Sequence, residues 1–119
     1  MKPILETPSP NFGARKDGKR IEHLILHYTG MPSAFETLQR LQDKSAEVSA
    51  HYLVDEDGTI HRLVPEEMRA WHAGVSYWAG ETDINSTSIG IEIQNPGHKW
   101  GYRPFPPQQM QAVAELCTD

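Results

Sequence analysis

The sequence has little cysteine and no long apolar run, and both shortages exclude classes of protein. Cys117 is the single cysteine, so the chain cannot form an internal disulfide framework. No stretch approaches the roughly 18 apolar residues of a membrane span, and the N-terminus carries no signal-peptide core. The sequence as written therefore predicts a cytoplasmic protein, or one of the periplasm or cell envelope if an export signal has been removed.

Basic residues are also too few and too scattered for a protein that binds nucleic acid. Eleven Lys and Arg stand against 16 Asp and Glu, which gives a net charge of −5. Phosphate backbones are bound by clustered basic side chains, so a polyanionic partner is not expected. With 38% hydrophobic and 23% charged residues over 119 positions, the composition is that of one globular domain covering residues 1–119.

The first half of the chain predicts an extended lead-in, a strand and a helix. Residues 3–19 are rich in proline and glycine and predict extended structure, whereas the continuous apolar run within 21–28 predicts a largely buried strand. Ser33 followed by Glu36 forms a capping box at a helix start. The apolar stripe of that helix is predicted to be Phe35, Leu38 and Leu41.

The second half predicts a hairpin, a loop, a strand and a final helix. Two β-prone runs, 50–54 and 59–64, flank an acidic turn that ends in glycine. Residues 65–87 predict mainly a loop of the kind that carries function. Residues 88–94 predict a strand, and Pro107 suits the first turn of a last helix. The predicted buried face of that helix consists of Met110, Val113, Ala114 and Cys117.

Glu92 is the most unusual residue of the strand at 88–94. Isoleucines alternate with other residues there, so the pleat places Glu92 on the face opposite Ile89, Ile91 and Ile93. A plain interpretation is an exposed strand glutamate. The alternative is a central strand facing a pocket, where burial would raise the pKa of Glu92 toward that of a general base.

Six histidines raise the question of a metal site. His23 and His27 share a strand face but lie roughly 13 Å apart at 3.3 Å per residue, so at most one could be a ligand of a given ion. His27 is the better candidate because it lies at the carboxyl end of its strand, where sites on sheets open. A strand-end histidine of purely structural role is the alternative, and His51 and His61 are interpreted as half-buried sheet residues.

Trp71 and His72 form a second candidate site. They precede small residues in the segment Trp-His-Ala-Gly, where an aromatic side chain beside open space could hold a ligand. The simpler interpretation is a tryptophan that fills the core under a long loop.

Four segments, in this order, resemble one known family. They are LHYTG at 26–30, SAHYLVDEDGTIHRLVPEE at 49–67, RAWHAGVSYWAG at 69–80 and NSTSIGIEIQNPG at 85–97. They are similar to the zinc-dependent N-acetylmuramoyl-L-alanine amidases of the type 2 family, which is related to the peptidoglycan recognition proteins. The resemblance covers about residues 8–117.

The resemblance implies a mixed α/β fold, with a central mixed β-sheet flanked by helices. It implies that His27 is the first zinc ligand and that Glu92 is the catalytic acid or base that helps to activate water. Trp71 and His72 would line the groove that binds the sugar or stem peptide. The reaction implied is hydrolysis of the amide bond between N-acetylmuramic acid and L-alanine, in peptidoglycan or in muropeptides.

One departure from the family pattern leads to further expectations. The remaining zinc ligands of the family come from a segment after the last helix, so we expect them beyond residue 119 and interpret the chain as an incomplete amidase domain. His72 and His98 are substitutes that the spacing does not support. A non-catalytic module that binds peptidoglycan or muropeptides is the alternative function. An incomplete sheet would also expose an edge through which the chain could associate with itself.

Overall fold

A five-stranded mixed sheet between helices is the centre of the molecule. The computed structural model describes residues 4–15, 21–72, 84–97 and 104–118. In chain order the elements are β1 (Ile4–Glu6), β2 (Phe12–Ala14), β3 (His23–Tyr28), α1 (Ala34–Leu41), a 3₁₀ turn (Lys44–Ala46), β4 (Tyr52–Val54), β5 (Ile60–Arg62), β6 (Met68–Ala70), α2 (Ile84–Thr87), β7 (Ser88–Ile93) and α3 (Pro107–Cys117).

The strand order of the main sheet is β1-β5-β4-β7-β3. β7 pairs in parallel with both β3 and β4, β4 and β5 form the antiparallel hairpin, and β1 pairs in parallel with β5. β2 and β6 form a separate antiparallel pair. The sheet is therefore mixed, as the family resemblance implied, and β7 is a central strand.

The two faces of the sheet pack against different helices because side chains alternate along a strand. Tyr52 and Val54 of β4 join the cluster that includes α3, and Leu53 between them joins the cluster that includes α1. The core of the α3 side consists of Tyr52, Val54, Ile60, Ile91, Ile93, Ala112, Val113 and Leu116. The sheet is thus flanked by helices, again as predicted.

Local chemistry explains where the helices begin. Ser33 caps α1 in extended backbone, and its Oγ accepts a hydrogen bond from the Glu36 N–H at 3.3 Å. Pro107 occupies the first position of α3, where its missing N–H leaves no helical bond unmade. Both predicted helix starts are confirmed.

The predicted apolar faces of the helices were only partly right. In α1, Leu41 is buried and Leu38 packs against the core as predicted, but Phe35 is 69% exposed and the other buried residues are Ala34 and Thr37. In α3, Val113 is buried as predicted, but Met110, Ala114 and Cys117 are exposed. The buried row of α3 is Gln109, Ala112, Val113 and Leu116. Its phase is set by a buried glutamine, which a hydrophobicity pattern reads as polar and places outside.

Two further expectations need correction. β3 is an edge strand rather than a largely buried one, and Leu24 and Leu26 are 44% and 50% exposed. The predicted loop at 65–87 contains β6 and α2, and residues 73–83 of it lie outside the described residues. The lead-in is extended in β1 and β2, as predicted. Strands of three residues are too short to show a period, and they form because a partner strand is at hand.

Within the described ranges, no helix has the length and apolar character needed to cross a bilayer. The cellular compartment and the single-domain boundary stay predictions of the sequence.

Gln109 ties α3 to the sheet, so its loss should destabilise the fold. Its Nε2 donates to Val54 O at 3.1 Å and to Gln94 O at 2.8 Å, and the side chain is fully buried. Gln109→Leu would remove the donor of Gln94 O and one of the two donors of Val54 O, which also accepts from the Gln94 N–H at 2.9 Å. We therefore expect the free energy of unfolding in urea to fall by about 1–3 kcal/mol. Gln108→Leu, at the exposed neighbouring position, is the control and should change it by about 0.5 kcal/mol or less. Equal stability of the two variants would show that the hydrogen bonds of Gln109 do not stabilise the fold.

Candidate active site

The register of β3 and β7 places His27 beside Glu92. In the parallel ladder His27 pairs with Glu92, and Leu53 of β4 pairs with Glu92 on the other side. Paired residues of adjacent strands point to the same face, which here is the α1 face. Glu92 therefore lies on a central strand facing away from the isoleucines, as its alternation predicted.

Burial changes the acid–base properties of Glu92. It raises the pKa of the carboxyl to about 7, because a charge is disfavoured where water is excluded. Its Oε2 is buried and has no hydrogen-bond partner among the described residues. A buried carboxyl oxygen left without a donor is a group available to a substrate, a water molecule or an ion.

His72 brings a second imidazole against His27. Its Nδ1 lies 3.2 Å from Nε2 of His27, and the ring centroids are 5.3 Å apart in an edge-to-face arrangement. The backbone N–H of His72 donates to Asn85 Oδ1 at 3.0 Å, and its Nε2 lies 2.9 Å from Ser88 Oγ. Burial, followed by the nearby His27, lowers the pKa of His72 to about 3. His72 is thus a neutral ring held on three sides.

A third histidine, His51, belongs to the scaffold. It is fully buried rather than half-buried as predicted, and burial lowers its pKa. Its Nδ1 accepts from the Gly90 N–H at 3.0 Å, and its Nε2 lies 2.9 Å from Met68 O. Both nitrogens are therefore occupied by backbone, so His51 joins β4, β6 and β7 and is not free for a ligand. His61 is 9% exposed, on the hairpin.

A cavity of about 150 Å³ opens beside these groups. Trp71, His72 and Glu92 line one side of it, and α1 contributes Thr37 and Arg40. The remaining lining residues are Thr29, Met31, Leu41, Val48 and Ser49. The Trp71 N–H donates to Ser49 Oγ at 2.9 Å, and the Ser49 N–H donates to Trp71 O at 2.9 Å. The structure therefore brings the four predicted site residues together, three around the cavity and His27 through His72.

Sequence reasoning missed the polar residues that shape this cavity. Gln94 is fully buried, and its Oε1 accepts from Thr29 Oγ1 at 3.0 Å and Thr37 Oγ1 at 2.9 Å. Its Nε2 donates to Met31 O at 2.7 Å. The ends of β3 and β7 are thereby fixed to the start of α1. The only signal in the sequence is a threonine two positions after His27, which is too common to identify a site.

Arg15 donates hydrogen bonds to the backbone of the segment that contacts His72. Its Nη1 donates to the carbonyls of Asn85, Ser86 and Ser88 at 3.0–3.1 Å, and its Nη2 donates to Glu66 O at 2.7 Å. The first three carbonyls belong to α2 and the start of β7. Arg15 thus fixes the segment that carries two of the three hydrogen-bond partners of His72, Asn85 and Ser88, and the predicted lead-in turns out to be part of the site.

The donor set accounts for part of a metal site. The hydrogen bond seen for the His27 ring within the described ranges uses Nε2, so Nδ1 could bind a metal. Glu92, which has an unpaired carboxyl oxygen, is the ladder partner of His27. No group of three or more His, Cys, Asp and Glu side chains in the described ranges could hold an ion. His72 has both ring nitrogens engaged, so it is a poor substitute ligand, and His98 lies outside the described residues.

The sequence matches a family of known proteins. The profile described as N-acetylmuramoyl-L-alanine amidase matches residues 17–119. The N-acetylmuramoyl-L-alanine amidase AmiD of Escherichia coli K12 is 42% identical over 112 residues, covering 84% of this chain and 40% of AmiD. The 1,6-anhydro-N-acetylmuramyl-L-alanine amidase AmpD of the same bacterium is 31% identical over 134 residues, covering 94% of this chain and 70% of AmpD.

A solved structure supports the same grouping. It is the complex of E. coli AmiD with the substrate anhydro-N-acetylmuramic acid-L-Ala-D-γ-Glu-L-Lys, which this chain matches with a TM-score of 0.74 at 41% identity. The match covers 89% of this chain and 45% of that one. The chain therefore has the AmiD fold over most of its own length while spanning less than half of AmiD.

The raised pKa of Glu92 predicts how stability depends on pH in the metal-free protein. Between the ordinary pKa of 4.5 and the folded value of about 7, the folded state binds more protons than the unfolded state, so stability falls as pH rises. Glu92→Gln removes this loss, and we expect the variant to gain about 2–3 kcal/mol relative to the wild type between pH 4.5 and 8.

Urea unfolding of both proteins across this range measures the difference. Glu67→Gln, which removes an exposed carboxylate, is the matched control for the change of charge. A stability difference between Glu92→Gln and the wild type that does not change with pH would show that Glu92 is not buried as described.

Proposed function

This chain belongs to the N-acetylmuramoyl-L-alanine amidase family, and we propose that it hydrolyses the amide bond between N-acetylmuramic acid and L-alanine in peptidoglycan or muropeptides. The observation that carries the proposal is the pairing of His27 with Glu92 on adjacent parallel strands, at the edge of a cavity lined by Glu92 and His72. An imidazole and a buried carboxyl of raised pKa, paired across adjacent strands, are suitable groups for metal-assisted hydrolysis.

Enzymes of this family are generally zinc enzymes, and His27 fits the role of one zinc ligand. Zinc, when bound, supplies Lewis acidity at the amide carbonyl and lowers the pKa of water to near neutrality. A catalytic zinc site takes three protein ligands, and we propose that the other two come from outside the described residues.

Glu92 is proposed to move the proton. Its pKa of about 7 leaves both protonation states populated near neutral pH, which suits a general base that later acts as an acid. It would take a proton from the attacking water as the water oxygen bonds to the carbonyl carbon. It would then deliver that proton to the alanine nitrogen as the carbon–nitrogen bond breaks.

The cavity beside Glu92 is proposed to hold the muropeptide. Trp71 and His72 line it from one side and would contact the sugar or the stem peptide with apolar ring surface. The substrate bound in the AmiD complex, anhydro-N-acetylmuramic acid-L-Ala-D-γ-Glu-L-Lys, is of the class we propose for this chain.

Hydrolysis of that muropeptide tests the proposal. With zinc supplied, mass spectrometry should detect release of the peptide L-Ala-D-γ-Glu-L-Lys. Glu92→Gln should retain zinc and lower kcat by about 10²–10⁴-fold, and His27→Ala should lose zinc. Glu67→Gln and His23→Ala, which changes a histidine on the same face of β3, are the matched controls.

The alternative function has its own outcome in the same experiment. Muropeptide binding without cleavage, in a chain that takes up no zinc, would replace the enzyme by a non-catalytic binding module. Unchanged turnover of Glu92→Gln would remove Glu92 from the mechanism.

We also propose that the chain associates with a second copy through the outer edge of β3. No strand of the described ranges pairs with that edge, and β3 has six residues where the opposite edge strand β1 has three. Leu24 and Leu26 on β3 are about half exposed. A longer apolar edge is a better template for strand addition.

Light scattering over a concentration series measures this association. Leu26→Lys should shift the particles toward the monomer mass, because it places a charge at the edge. Leu5→Lys makes the same change on β1, where Leu5 is 47% exposed, and should have no effect. A monomer at every concentration would refute the proposal.

A further inference from the structure

The environment of the His72 ring leaves little for a ligand to use. Its two ring nitrogens face His27 Nε2 at 3.2 Å and Ser88 Oγ at 2.9 Å. A substrate therefore meets the flat side of the ring and finds no free nitrogen. His72 is also far from His27 in sequence, 45 positions away, so the contact is a product of the fold.

From this contact we propose that His72 is a positioning residue that fixes the tautomer and ring orientation of His27, so that His27 presents the lone pair of Nδ1 to the metal. The metal part of the inference rests on the proposed function. The contact itself does not depend on it.

Proton accounting supports one direction for the two hydrogen bonds. A neutral imidazole has one N–H and one lone pair. If His27 Nε2–H donates to His72 Nδ1, then His72 Nε2–H donates to Ser88 Oγ, and His27 Nδ1 keeps a lone pair. In the reverse direction the proton is on His27 Nδ1. That nitrogen then has no lone pair for a cation, and no acceptor for its N–H is seen among the described residues.

The strand β7 is built to hold the His72 ring in this place. A Cβ on Gly90 would lie 2.4 Å from Cγ of His72, so the ring rests directly on the backbone of Gly90. Ser88, Gly90 and Glu92 share one face of β7. They supply, in order, the anchor of His72, the space for its ring and the proposed base.

The arrangement is that of an outer partner of a metal ligand. A ligating histidine usually donates its second N–H to a neighbouring acceptor, which fixes its tautomer and orientation, and loss of that acceptor typically weakens metal binding by about 10–100-fold. Here the acceptor is another imidazole, itself anchored by the serine hydroxyl and by the bond from its backbone to Asn85.

The tautomer of His27 can be read directly from imidazole nitrogen shifts. In metal-free wild-type protein with ¹⁵N-labelled histidine at about pH 8, two-bond ¹H–¹⁵N correlations should show His27 protonated at Nε2 and unprotonated at Nδ1. This spectrum needs neither a variant nor zinc. A His27 ring protonated at Nδ1, or a rapid mixture of the two tautomers, would overturn the proposal.

Two variants of similar size separate positioning from packing. The amide oxygen of Asn reaches the place of His72 Nδ1, so His72→Asn should keep the acceptor and the Nε2–H tautomer of His27. The amide of Gln reaches the place of Nε2, so His72→Gln should keep the partner of Ser88 but let His27 exchange between tautomers. Thermal unfolding reports whether each variant folds, and Ser88→Ala, which frees the far side of the ring, is the substitute if either does not.

Zinc affinity gives the second readout. His72→Gln should bind zinc about 10–100-fold more weakly than His72→Asn. Equal dissociation constants, or equal His27 spectra in the two variants, would overturn the proposal. Failure of the amidase assay alone would leave the tautomer result standing, so the two inferences can be told apart.

Discussion

The parallel pairing of β3 with β7 is the constraint on which the site depends. Its register sets His27 opposite Glu92, and a shift by one residue would turn every side chain of one strand to the other face. The isoleucines of β7 guard against such a shift, because Ile91 and Ile93 are buried under α3. The same hydrophobic pattern that fixes the core therefore fixes the geometry of the chemistry.

Near this pair, the buried polar side chains His51 and Gln94 differ from Glu92 in their hydrogen bonding. His51 and Gln94 have no exposed surface and bond to backbone or to hydroxyl groups. Glu92 has a buried oxygen without a partner in the described structure. Other buried side-chain atoms in the described ranges also lack a partner, among them Arg15 Nε and His61 Nδ1, but of these residues only Glu92 lines the cavity. An unsatisfied buried polar atom destabilises a fold, so one that faces a cavity indicates a functional group.

Much of the fold could be predicted because its signals are local. The Ser33 cap, the Pro107 start and the hairpin each depend on a few neighbouring residues, and the alternation at β7 gave the face of Glu92. The phase of α3 could not be predicted, because Gln109 is buried by bonds to residues 15 and 55 positions away. The prediction that β3 is largely buried failed for a similar reason, because an apolar strand has the same sequence pattern at the centre and at the edge of a sheet.

The candidate site shows the same division. His27 and Glu92 were identified from their own strands and Trp71 and His72 from their local segment, and the family resemblance implied a role for each. How these residues are arranged could not be predicted from the sequence. No residue near His72 in the chain indicates that its ring lies on Gly90 or that its nitrogens bond to His27 and Ser88. Such contacts depend on how distant segments meet, which no local pattern records.

Arg15 has a consequence for how the molecule folds. Its guanidinium joins residues 51 to 73 positions apart in the chain, so each bond requires the closure of a long loop before it returns any free energy. We expect the hydrogen bonds of Arg15 to form late in folding, after the hairpin and α1, because the contacts of those two elements close only short loops.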